Sequence, residues 1–131
     1  MSRTIAYDAR RTALAPAARP QPTVIACPGT RWCQAALADT RGLADRIRER
    51  FADALDPRTT VCISGCPNGC AHSTVAELGL VGGLATRNGQ RTEVYNLLAG
   101  GQMGRTPRLA AAIARRLDAD QVLAAVAQRI L

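Results

Sequence analysis

Four of the five cysteines fall into two pairs, and each pair starts where a short β-branched run stops. "TVIACPGTRWC" carries Cys27-x5-Cys33, and "TTVCISGCPNGCAH" carries Cys66-x3-Cys70. This placement constrains the fold more than any other feature. Two strands of one sheet can end at one point in space and deliver four thiols to it from two loops. A cubane iron–sulfur cluster needs that supply, with thiolates reaching a compact inorganic core from different directions. Gly29, Gly65 and Gly69 would let backbone N–H groups approach the cluster sulfurs. Cys33 is expected in the first turn of a helix, whose positive end favours an anionic group.

Other uses of the thiols stay open from spacing alone. Structural zinc sites typically space a near pair by two to four residues. The second pair fits that rule and the first does not. A cysteine nucleophile would need a base, and His72, two residues past Cys70, is the single histidine. Its plainer reading is a surface residue beside the site. Cys62 lies inside a strand run and reads as a small buried apolar residue, apart from the site. An odd number of cysteines with no secretory leader argues against a disulfide framework and for reduced thiols in a cytoplasmic compartment.

The rest of the chain builds the scaffold. Its 131 residues are one domain's worth, and with 47% hydrophobic but only 3% aromatic residues the core must be made of Ala, Leu, Val and Ile. No apolar run reaches the roughly 18 residues of a membrane span. All 17 basic residues are Arg, giving a net charge of +7. That charge suits anionic ligands or an acidic partner. The arginines are scattered and aromatics are few, so nucleic acid is not an expected partner.

Residues 1–22 end in the Ala/Pro-rich "APAARPQP" and read as an arm or linker, leaving 23–131 as the domain. Thr23–Ala26 reads as a first strand. From Arg31 to Leu55, Leu37, Leu43, Ala44, Ile47, Phe51 and Leu55 recur at helical spacing. Thr59–Ser64 reads as a second strand. "VAELGLVGGLAT" and "TEVYNLLAGG" read as two more, joined by an "RNGQ" hairpin turn. Helical spacing resumes at Leu109, Ala112, Ile113 and Leu117, then at Val122, Leu123, Val126 and Ile130. Asp118 or Asp120 is a candidate cap for the last helix. The expected class is α+β: a mixed sheet of about four to five strands with helices packed on it.

Taken together, "ACPGTRWCQAALADT", "ISGCPNGCAHSTVAELGLVGG" and "YNLLAGGQMG" resemble the iron–sulfur part of the sirohaem-dependent nitrite and sulfite reductases. The resemblance runs from about Thr23 to the C-terminus. It implies a nitrite/sulfite reductase 4Fe-4S domain-like fold, with Cys27, Cys33, Cys66 and Cys70 as ligands of one [4Fe-4S] cluster. Cys70 would be the catalytic thiolate, bridging to sirohaem iron, and Gly65, Asn68 and Gly69 would lie against the cofactors. Implied partners are a substrate-binding half or subunit, an electron donor such as ferredoxin, and a small inorganic anion, nitrite or sulfite. The basic residues that hold the anion in that family come largely from segments absent from this sequence. Two other readings share the cysteine pattern: a precorrin-3B synthase-like component of cobalamin synthesis, and a cluster-only electron-transfer protein.

Overall fold

The computed structural model of the chain describes residues 22–130. Apart from Pro22, the arm expected over 1–22 lies outside the described residues. Five strands form one sheet in sequence order: β1 (Thr23–Ala26), β2 (Thr60–Ser64), β3 (Leu78–Arg87), β4 (Gln90–Ala99) and β5 (Ala111–Leu117). β1, β2 and β3 run parallel, in the register Ala26↔Ile63 and Ile63↔Leu80. β3, β4 and β5 are antiparallel. The mixed sheet agrees with the class read from the sequence.

Two helices, α1 (Thr40–Phe51) and α2 (Ala119–Ile130), share a core with one face of the sheet. Leu43, Ile47 and Phe51 of α1 and Val122, Leu123 and Val126 of α2 meet Val61, Ile63, Leu78, Leu80, Tyr95 and Leu97. Alternate strand residues supply that face, as the two-residue side-chain period of a strand requires. No helix among the described residues is long and apolar enough to cross a membrane.

α1 is shorter than its apolar spacing suggests. Between Cys33 and Asp39, backbone groups are committed elsewhere: Leu37 N–H donates to the Gly65 carbonyl (2.8 Å) and Thr30 N–H to the Ala38 carbonyl (3.2 Å). Those bonds leave no i→i−4 ladder to start on, and only a short 3₁₀ turn forms at Gly29–Arg31. The helix begins where Asp39 caps it, its carboxylate accepting from Gly42 N–H at 3.2 Å.

The second correction concerns 109–117. Helical spacing there gives way to β5, which pairs with β4 from Ala99↔Ala111 to Tyr95↔Leu117 through an irregular register. Pairing satisfies the open backbone edge of β4, and a single helical turn could not. The supposed apolar stripe is not a buried one, since Leu109 is 75% and Ile113 47% exposed.

α2 has the reciprocal cap that Asp118 allows. Gln121 N–H donates to the Asp118 carboxylate (2.8 Å), and Asp118 N–H donates to the Gln121 side-chain oxygen (2.9 Å). The expected hairpin is present as well. Asn88 and Gly89 both take positive φ, 52° and 78°, between paired Arg87 and Gln90.

Candidate functional site

Parallel pairing of β1 with β2 brings the two cysteine loops together. Cys27 follows β1 directly, and its N–H extends the ladder by one bond to the Ile63 carbonyl (3.0 Å). One residue past β2, Gly65 N–H donates to Cys27 Sγ at 3.1 Å. Cys66 is the next residue, so the first thiol of each pair stands at adjoining strand ends. The strand ends that carry Cys27 and Cys66 thus adjoin on one side of the domain.

The second thiol of each pair is set by a local turn. Cys33 N–H donates to the Gly29 carbonyl (2.9 Å), folding the x5 segment back on itself. Gly69 N–H donates to the Cys66 carbonyl (3.3 Å), and His72 N–H to the Gly69 carbonyl (2.9 Å). Gly69 (φ 68°) and His72 (φ 61°) take the left-handed conformation that coils this loop. Cys27, Cys33 and Cys66 are half-buried, whereas Cys70 is exposed, as are Asn68 and His72. Cys33 is not in a helix: it precedes the Asp39 cap of α1, so the helix-dipole argument does not apply to it.

A buried hydroxyl network pins the second loop to the sheet. Ser73 and Ser64 share a hydrogen bond of 2.8 Å, and Ser73 Oγ lies 3.0 Å from the Cys62 carbonyl and 2.9 Å from that of Leu80. Ser64 Oγ accepts from Ala71 N–H at 3.2 Å, one residue past Cys70. Cys62 is buried as expected, and burial raises its thiol pKa. It is not apart from the site: it clusters with Ala71 and Ala76, and Cys27 packs against them. Sequence reasoning missed Ser64, Ser73 and Thr40. Their partners are remote in the chain, and a lone Ser or Thr carries no spacing signal.

Among the described residues, no three Cys, His, Asp or Glu side chains are grouped so as to hold a single metal ion. A cubane does not ask for that grouping, because each thiolate takes a separate iron and the sulfurs spread around the core. Four cysteines on two adjoining loops, with a backbone N–H already aimed at one sulfur, fit such a group.

Fold and site therefore define a cysteine-bearing domain built on the ends of parallel strands in a mixed sheet. Residues 21–131 match the family described as the nitrite and sulphite reductase 4Fe-4S domain, and the chain belongs to that family. It is 28% identical over 102 residues to a ferredoxin–nitrite reductase of Leptolyngbya laminosa, covering 76% of this chain and 20% of that protein. It is 35% identical over 99 residues to an assimilatory-type sulfite reductase of Nitratidesulfovibrio vulgaris, covering 75% of this chain and 42% of the relative. Among solved structures, the Mycobacterium tuberculosis NirA protein superposes with a TM-score of 0.65 at 25% identity, covering 76% of this chain and 20% of that one. The chain thus spans less than half the length of each.

Proposed function

We propose that this chain supplies the [4Fe-4S] end of a nitrite- or sulfite-reducing assembly, with Cys27, Cys33, Cys66 and Cys70 as the cluster ligands. The observation that carries the reading is the Gly65 N–H to Cys27 Sγ bond, which ties the two cysteine loops at the ends of β1 and β2. When bound, the cluster would supply electrons singly, and sirohaem would offer the iron at which the small anion is reduced.

The chain's own residues hold and orient. β1 and β2 fix the positions of Cys27 and Cys66, the turns at Gly29 and Gly69 shape the loops that carry Cys33 and Cys70, and Gly65 N–H offsets thiolate charge at Cys27. Exposed Cys70 is the thiol that a haem arriving from outside can reach, which supports its assignment as the shared ligand. Asn68 and Gly69 frame that same exposed edge. Trp32, 77% exposed, and Met103, 58% exposed, are apolar surface suited to the remainder of such an assembly. The net charge of +7 suits an acidic donor such as a ferredoxin, and the carboxylates at the sirohaem periphery.

Anaerobically prepared protein should carry about four iron and four sulfide per chain. Stoichiometric zinc without sulfide would overturn the reading. Intense visible haem bands after addition of sirohaem support the coupled form; a broad brown shoulder alone would leave a cluster-only carrier. In the coupled form, Cys70→Ser should change the haem spin state and uncouple the two centres in EPR or Mössbauer spectra. Cys33→Ser should damage the cluster first. Turnover of nitrite or sulfite is expected only once another segment or chain supplies the basic residues that hold the anion.

A further inference from the structure

Thr40 opens α1, yet its side chain points away from the helix's own backbone and is fully buried. Its hydroxyl donates to the Cys27 carbonyl at 2.7 Å and lies 3.9 Å from Cys27 Sγ. Space for it is made from two sides. A Cβ on Gly29 would fall 2.5 Å from Thr40 Oγ1, and a Cβ on Gly65 would fall 3.3 Å from Thr40 Cγ2. Both cysteine loops thus give up a side chain where Thr40 enters. Packing alone would be met by valine, which has the same shape and no hydroxyl to bury. As a thiol, Cys27 Sγ donates to this hydroxyl; once the thiol loses its proton, the hydroxyl has two acceptors, carbonyl and sulfur, for its single proton.

We propose that Thr40 is a positioning residue for the electron-accepting state of the site, acting through Cys27. The inference rests on Cys27 being a cluster ligand. A ligating thiolate has lost its proton, so it can only accept hydrogen bonds, and Gly65 N–H already supplies one at 3.1 Å. Adding one electron from an external reductant increases the negative charge shared by the thiolates. The Thr40 hydroxyl then turns from the Cys27 carbonyl toward Cys27 Sγ by rotation about its Cβ–Oγ bond. No covalent bond forms or breaks, and no proton leaves Thr40. The reduced state is stabilised and the oxidised state is not, which raises the midpoint potential.

The test is a potentiometric titration, followed by EPR, of the full chain reconstituted anaerobically with iron and sulfide. In Thr40→Val the equilibrium constant for reduction should fall about fivefold, the worth of one hydrogen bond, with cluster content unchanged. Thr40→Ser, which keeps the hydroxyl, should restore the wild-type potential. Thr40→Ala repeats the test with a smaller side chain should valine not fit beside Gly29. A wild-type potential in a cluster-bearing Val or Ala variant would overturn the role of Thr40 and leave the ligand assignment standing. A lowered potential that Ser does not restore would assign the effect to packing, also against the proposal. Wild-type protein that takes up no iron and sulfide would overturn both.

Discussion

The parallel half of the sheet and the antiparallel half are built on different economies. β1 and β2 are only 4 and 5 residues long, whereas β3 and β4 have 10 each and are joined by a two-residue turn. Parallel neighbours need a crossover, so the ends of β1 and β2 each launch a long connection. Those connections hold all four candidate ligand cysteines and the buried hydroxyls of Thr40 and Ser73, with Ser64 at the end of β2 completing the network. The antiparallel half makes most of its contacts through its own ladder and carries no cysteine. The contrast teaches that the site depends on loop-to-sheet contacts, each specific and sensitive, while the hairpin half tolerates change.

The largest effect should come where a connection touches a strand most closely. A Cβ on Gly79 of β3 would fall 2.0 Å from the Ser73 carbonyl oxygen, a backbone atom. Gly79→Ala should cost about 3 kcal/mol or prevent folding, read as a drop in the urea midpoint together with loss of bound iron. A variant of wild-type stability would show that the second cysteine loop is not pressed on the sheet.

Ser73→Ala comes next. It removes the hydroxyl joining Ser64 to the Cys62 and Leu80 carbonyls, at an expected cost of about 2 kcal/mol. Thiols at Cys66 and Cys70 should react faster with alkylating agents in this variant, because their loop has lost its anchor.

The contrasting change in the antiparallel half is Gly89→Ala. No atom lies within 4 Å of the added Cβ, and only the left-handed φ of 78° opposes it. An expected cost of about 1 kcal/mol, with cysteine reactivity unchanged, would sharpen the comparison. Altered reactivity would break it by showing that the hairpin communicates with the site.

The smallest effect is confined to alkaline solution. Burial raises Tyr95 above its ordinary 10.0, helped by the negative charges of Glu93, Asp39 and Cys27. The folded protein holds the phenolic proton more tightly than the unfolded chain does. Its contribution is therefore complete below pH 10 and declines as pH rises beyond it. Urea unfolding followed from about pH 8 to about pH 11 should show that decline, and Tyr95→Phe should lessen it. Tyr95 lies on β4 but feels charges from the cysteine side, so this measurement reads how the two halves meet.

Local chemistry made much of the molecule legible in the sequence. β-branched runs predict β1 and β2, "RNGQ" predicts a hairpin turn, and Asp118 or Asp120 is readable as the cap of the last helix. Cysteines placed at two strand ends allow those ends to meet, and the parallel pairing of β1 with β2 puts Cys27 and Cys66 side by side. Tertiary structure alone decided the rest. Residues 33–39 have helical spacing but spend their backbone bonds on Gly65 and Thr30, and 111–117 have helical spacing but complete the edge of β4. In both places a partner distant in the chain offered backbone hydrogen bonds that a local helix could not match. The same holds for Thr40, Ser64 and Ser73. A hydroxyl has no periodicity of its own, and its meaning depends on which carbonyl or sulfur the fold brings within about 3 Å.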